Sequence, residues 1–331
     1  MNRNALLGAA FVLFWSSGFI GAELGTRYAA ADTLLAWRYI VAVGLVWAVI
    51  AIRRIAIPRG APRRQLGLGM LAQVGYLGCI VSAVGLGVPA GTTALIAALQ
   101  PLVVAIAAAP LLGERTTPAQ RVGLGVGIVG VALVVAGDIG PGSAPWWAFA
   151  LPVLGVLSLS AATVWQRRLQ APEGPFVTLT LQVTAAAIAF PLAAAIGGRI
   201  APPVDPGFWG AIAWVIVLST FGGYGSYLLV LRRSGATRVS TLLYLTPPTT
   251  MLWSWLMFGD VPHPLAVPGI ALCAIGVWLV LRRSGTRAER RRAEQLGEQP
   301  VGVADPVAQQ RPAVAGIDEV LHPEVLGRAE R

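Results

Sequence analysis

Apolar runs long enough to cross a membrane recur along most of this chain, at about residues 5–22, 33–52, 66–86, 91–111, 119–137, 146–166, 177–197, 208–230, 237–257 and 265–282, each bounded by charge, Pro or Gly. A helix needs about 20 predominantly apolar residues to span a hydrocarbon core of about 30 Å. Backbone in lipid must also satisfy its own polar groups, which for segments of this length means helix. The expectation is an all-α integral membrane protein of ten transmembrane helices. Composition agrees, because 12% charged residues is far from the roughly 25% of soluble domains.

The net charge of +10 comes from arginine alone, since the chain has no lysine. Arg53, Arg54, Arg59, Arg63 and Arg64 follow the second run, Arg115 the fourth, Arg167 and Arg168 the sixth, Arg232 and Arg233 the eighth, Arg282 and Arg283 the tenth. The odd-numbered exits carry only Arg27 and Arg199. Positively charged loops stay in the cytoplasm, so both termini are expected there, in the inner (cytoplasmic) membrane of the cell. The first run follows a single Arg as a signal peptide would, but is expected to remain as the first span. Beyond residue 284 the chain becomes polar and rich in Ala, Glu, Arg, Gln and Pro. Residues 284–331 are expected to be a disordered cytoplasmic tail, having too little apolar surface to fold alone.

Scattered arginines give no clustered basic face, so nucleic acid is not an expected partner. Cys79 and Cys273 lie singly inside apolar runs, and His263 and His322 in a loop and the tail, so neither a metal site nor a cofactor is expected. No Asp, Glu or His sits near the middle of any run; Glu23, at the outer end of the first, comes closest. A membrane enzyme would lack its acid and base, so no catalytic residue is expected. Coupling through a midplane carboxylate is not expected either, which favours exchange or downhill export.

Sliding the second half onto the first brings Pro101 onto Pro247, an offset of 247 − 101 = 146. Without a gap, Gly113 then meets Gly259, Glu114 meets Asp260, Pro118 meets Pro264, Gly123 meets Gly269 and Gly130 meets Gly276. Upstream, Thr33-Leu34 meets Thr178-Leu179 after a one-residue shift. The chain reads as two five-helix units, 5–137 and 146–282. Five is odd, so the second copy inserts upside down, the inverted-repeat architecture of secondary transporters.

The repeated pattern of a fourth span with a central Pro, then Leu-Gly-Glu, a Thr-Pro loop and a Gly-spaced fifth span resembles the EamA domain of the drug/metabolite transporter superfamily. It reads P101LVVAIAAAPLLGERTTPAQRVGLGVGIVGVAL and again P247PTTMLWSWLMFGDVPHPLAVPGIALCAIGVWL; FWSSGFIGAEL in the first span resembles the family's opening Trp motif. The resemblance covers about 5–283. It implies ten-helix exporters or exchangers of small metabolites, with a central cavity lined mainly by helices 1, 3, 4, 6, 8 and 9. The second copy departs from it in having Asp260 for Glu and a doubled proline, Pro247-Pro248.

Gly113, Glu114, Gly259 and Asp260 are expected to be repeat signature rather than site. Glu114 precedes Thr117-Pro118-Ala119-Gln120, which fits an N-cap, Pro at N1 and a capping-box Gln. Arg38 is the one cation well inside a span; it could snorkel, pair with Glu23 or Asp32, or bind a substrate carboxylate. Gln73, Tyr76, Gln100, Tyr224, Tyr227 and Thr246 are uncharged polar groups that must face the bundle interior, and some glue helices together. Gln100 and Thr246 precede the matched prolines Pro101 and Pro247, read with Pro248 as hinges where a missing N–H frees a carbonyl; this pair is the first choice for substrate contact. Trp15, Tyr76, Trp165, Tyr224 and Tyr227 fall on helices that the resemblance assigns to the cavity. The expected function is export of a small neutral or zwitterionic metabolite, or an amphiphilic drug-like compound, by alternating access. A nucleotide-sugar or phosphorylated-metabolite exchanger and a non-transporting scaffold or sensor are the alternatives. The partners are a small-molecule substrate and the lipid bilayer, with a homo-oligomer left open.

Overall fold

The computed structural model describes residues 3–112, 118–140, 144–169, 173–223, 225–227, 229–230, 233, 239, 242–276 and 278. Gly113, Glu114, Tyr224 and the tail therefore lie outside the described residues. Regular structure among those described is helical throughout: α1 (Arg3–Thr26), α2 (Ala31–Arg53), α3 (Ala61–Gly85), α4 (Ala90–Ala97, continued as Gln100–Leu112), α5 (Pro118–Asp138), α6 (Trp146–Leu169), α7 (Pro175–Ile196), α8 (Pro206–Tyr227), α9 (Thr246–Phe258) and α10 (Ala266–Gly276). The helices α1 to α8 are long and apolar enough to cross a membrane. As described, α9 has 13 residues and α10 is also short of a crossing, so the described residues carry eight spans where the sequence reading expects ten.

The outside of the bundle is apolar, as lipid requires. Val122, Ile128 and Val129 on α5, Leu154 and Leu157 on α6, and Ile188 and Leu192 on α7 are each about half exposed. Such a continuous apolar surface marks a membrane-facing wall, and the chain is an integral membrane protein.

Two kinds of irregularity recur at the repeat spacing. The fourth helix breaks at Ala98–Leu99 and the ninth begins after a turn at Tyr244–Leu245, again 146 residues apart (244 − 98 = 146). Pro101 and Pro247 each stand in the first turn of the segment that follows. A missing N–H is harmless there, so these prolines, with Pro248, start helices where the sequence reading has them kinking a continuous one. The third and eighth helices each contain a π-helical stretch, Met70–Gly75 and Val215–Gly223, offset by 215 − 70 = 145. A π turn loosens the backbone ladder and is frequent at functional positions. In α3 the carbonyl of Leu71 accepts the Ser158 hydroxyl of α6 at 2.8 Å.

Packing is reciprocal in the same sense. Helix α1 packs on α8 and α9, and α6 packs on α3 and α4, while α2 packs on α7 and α4 on α9. Between α5 and α10, a Cβ at Gly130 would lie 2.6 Å from the Gly269 carbonyl, and one at Gly276 would lie 2.5 Å from the Gly123 carbonyl. The Cys273 thiol lies 3.5 Å from the Gly127 carbonyl, and these two positions are themselves 146 apart.

Ionic clips hold both ends of the α2–α7 pair. At one end Asp32, in the first turn of α2, takes Arg199 from beyond α7 in a fork of 2.6 and 2.9 Å. At the other, Glu173, just before α7, pairs with Arg64 from beyond α2. Burial pushes the Glu173 carboxyl up, but the hydrogen bond and charge of Arg64 outweigh it and hold the group below the ordinary value of 4.5. A carboxyl depressed on folding contributes stability above its unfolded pKa, and loses it as pH falls through the folded one. The thermal midpoint in detergent is therefore expected to drop as pH falls below about 4.5, and Glu173→Gln is expected to lower the pH 7 midpoint and flatten that acid limb. An unchanged acid limb in the variant would show that the clip contributes nothing.

Candidate functional site

A cavity of about 550 Å³ lies at the end of the bundle where α1, α3, α5 and α9 finish. Its walls carry three carboxylates from three elements: Glu23 near the end of α1, Asp138 at the end of α5, and Asp260 just after α9. Val84, Val88, Val134 and Met251 make the apolar part, with Thr92 and Ser254 as hydroxyls. Small residues open the space. Gly259 closes α9 in the left-handed region with φ 77° and its N–H on the Trp255 carbonyl at 2.9 Å, the helix-ending role that favours glycine. That gives a physical reason for its place in the repeat signature.

The carboxylates are held by different partners. Glu23 accepts from Arg27 at 2.9 Å on one oxygen, and its other oxygen lies 3.2 Å from the Ser254 hydroxyl. The same hydroxyl lies 2.7 Å from Asp260. A hydroxyl has one proton and can donate to only one carboxylate at a time, so Ser254 links two acids without neutralising either. Asp138 accepts from the Thr92 hydroxyl. Among the described residues, no group of three or more His, Cys, Asp or Glu is arranged to hold a metal ion. The wall can instead attract an organic cation or ammonium group by charge and by acceptor oxygens.

None of the described residues expected to line a cavity lines this one. Trp15 and Tyr227 pack with Phe11 in an aromatic cluster of tilted rings, ring centres 5.6 to 6.1 Å apart, about two turns along α1 from Glu23. Tyr76 packs with Phe19, Ile80, Ala90 and Ala94. Trp165 is 43% exposed. Gln73 accepts the Tyr39 hydroxyl at 2.7 Å, and Gln100 donates to Thr163 at 3.2 Å; both are helix–helix ties in this state. Thr246 is buried, and its hydroxyl has no partner among the described residues. Glu23, Asp138 and Asp260 were legible only as isolated helix-end acids; the signal for them was that all three follow odd-numbered helices, hence one end of the bundle.

Arg38 departs most from its bland reading. It is 9% exposed, so most of the side chain lies inside the bundle. Glu23 is engaged by Arg27 and Asp32 by Arg199, so neither pairs with it. Among the described residues, the guanidinium contacts the Tyr39 ring, 5.6 Å from the ring centre. Arg38 stands one turn beyond Leu34, which packs against Gly25 of α1, and six residues, about 9 Å, along the helix from Asp32.

Comparison with known proteins agrees with this architecture. The model of the EamA-like transporter family matches residues 2–136 and again 146–282. A probable terminal-alkyne amino-acid exporter of Streptantibioticus cattleyicolor is 30% identical over 297 residues, covering 86% of this chain and 95% of the relative. A probable amino-acid metabolite efflux pump of Salmonella typhimurium is 20% identical over 287 residues, covering 84% and 94%. A protein of known crystal structure shares the fold with a TM-score of 0.59 at 22% identity, over 86% of this chain and 99% of that one. With the family model matched across nearly all of the helical region, the chain belongs to the EamA-like transporter family.

Proposed function

We propose that this protein exports a small zwitterionic metabolite of the amino-acid type by alternating access between two inverted five-helix units, with both termini cytoplasmic. The observation that carries the reading is the pairing of opposite charges in the bundle: carboxylates around a cavity at one end, and a buried arginine, without a carboxylate partner among the described residues, about two turns in from the same end. An ammonium group suits the first and a carboxylate the second. A phosphorylated or nucleotide-sugar substrate, which wants several cations around its phosphates, is disfavoured by three acids at the cavity. The names of the relatives as amino-acid exporters point the same way.

Alternating access draws support from reciprocal packing. Gly130 meets Gly269 while Gly276 meets Gly123, so exchanging matched positions maps one contact onto the other, as a two-fold axis would. The helices run oppositely through these contacts, which supports such an axis lying in the membrane plane. By the arginine pattern the cavity end faces outward.

The test is flux in proteoliposomes with L-propargylglycine and L-leucine as zwitterionic probes and a nucleotide sugar as the competing class. Protein-dependent movement of an amino acid but not of the nucleotide sugar is expected. Movement of the nucleotide sugar alone would assign the exchanger reading, and movement of neither probe class would sink transport of these solutes.

A further inference from the structure

On α9 the residues Thr246, Thr250 and Ser254 follow at intervals of four, which places them on one face, and all three are at least 96% buried. This face runs along α1. The Thr246 carbonyl accepts from Ser16 at 3.4 Å, and Ser254 reaches Glu23 at 3.2 Å, so Thr250 is bracketed between those two contacts. Opposite, α4 packs against α9, with Gly91 of α4 set against Met251. Of the three α9 residues on this face, only Ser254 touches the cavity. Beyond it, the hydroxyls of Thr250 and Thr246 are sealed and without a hydrogen-bond partner among the described residues.

That combination is costly in a static core. A buried hydroxyl left unpaired costs about 1–3 kcal/mol, and a threonine in a helix can usually escape by bonding its own chain's carbonyl four residues back, as Thr26, Thr163, Thr180 and Thr184 do here. Thr250 and Thr246 do not. Valine would fill the same space without the penalty, so hydroxyls at these positions make physical sense if another state wets them.

We infer that the hydroxyl face Ser254–Thr250–Thr246 of α9 is the closed section of the translocation path, continuing inward from the acid-lined cavity and hydrogen-bonding the polar head group of the substrate as it passes. The inference rests on the transport reading. It identifies the α1–α4–α9 seam as the place where this state is shut, and the turn at Tyr244–Leu245 as the adjacent break about which α9 can tilt. The hydroxyls suit a solute that carries its own donors and acceptors in a compact head, and not an apolar drug.

The experiment uses full-length protein in which Cys79 and Cys273 are replaced by alanine, with single cysteines at Ser254, Thr250 or Thr246, in vesicles treated with a trimethylammonium-ethyl methanethiosulfonate. Ser254→Cys is expected to react with or without substrate. Thr250→Cys and Thr246→Cys are expected to react slowly alone and about tenfold faster during L-propargylglycine flux, as turnover repopulates a minor open state. If flux persists while both inner cysteines stay unreactive, the path runs elsewhere and transport itself stands. If no flux occurs for any amino acid, the transport reading fails and takes the path with it. Should a cysteine variant not fold, Thr250→Val supplies the second measurement. Its thermal midpoint is expected to hold or rise while flux falls at least severalfold; unchanged flux would overturn the inference.

Discussion

Gly276→Leu is expected to prevent assembly of the bundle, giving aggregated protein on detergent extraction, whereas Gly125→Leu, on the helix that Gly276 faces, is expected to be neutral or slightly stabilising. At Gly276 an added Cβ would lie 2.5 Å from the Gly123 carbonyl and 3.0 Å from the Gly127 amide nitrogen. Both obstacles are backbone, so no rotamer change relieves them, and α5 and α10 must separate. Overpacking that side chains can absorb costs about 1–3 kcal/mol; here the loss should exceed that, because interhelical contact in lipid depends on close packing and has little hydrophobic drive. At Gly125 nothing lies within 4 Å of the added atom, and leaving glycine in a helix gains up to about 1 kcal/mol. Size-exclusion profiles and thermal midpoints of the two variants read the contrast directly. Equal tolerance of both would mean that α5 and α10 do not meet through these glycines. The reciprocal substitution Gly130→Leu, with the Gly269 carbonyl at 2.6 Å, should fail in the same way.

Those glycines were legible in the sequence because backbone proximity leaves a compositional trace: only a missing side chain permits it, and the same spacing recurs 146 residues on. The start of α5 was legible for a similar reason, since Pro118 opens that helix. The break at Ala98–Leu99 was not. Pro101 signalled an irregularity, but a proline at N1 and a proline in a kink look alike until the preceding turn is seen. The π stretches left no trace either, since a wide turn is imposed by packing and requires no particular residue. The acid-lined cavity was hidden for a different cause. Glu23, Asp138 and Asp260 are 115 or more residues apart in sequence, and periodicity along one helix says nothing of which helix ends converge. Polar side chains were expected to face a cavity because they cannot face lipid, and several proved to be spent on each other: Tyr39 on Gln73, Gln182 on Gln65 and Gln166. Burial of a polar group in a membrane bundle is satisfied equally by a neighbour and by a substrate, and sequence does not separate the two.

Arg38→Gln is expected to raise the KM for zwitterionic probes by about 10- to 100-fold, the loss of a charge-assisted hydrogen bond worth roughly 1.5–3 kcal/mol, while leaving the thermal midpoint close to the parent's. A guanidinium in a membrane span is expensive and normally paired, yet the two carboxylates near it on α1 and α2 are held by Arg27 and Arg199, and a tyrosine face at 5.6 Å supplies only a weak cation–π contact. An incoming carboxylate would complete the missing pair, so the substrate itself would stabilise the loaded state. Two controls separate this from a packing role. An amine probe lacking the carboxylate should be moved equally by parent and variant. Arg38→Lys should restore little, because an ammonium keeps the charge but loses the planar fork that engages two oxygens. A midpoint that falls with every probe affected alike would make Arg38 structural. A selective loss for carboxylates would make it the group that distinguishes this transporter's solutes from simple amines, with the acids of the cavity then serving the ammonium end of the same molecule.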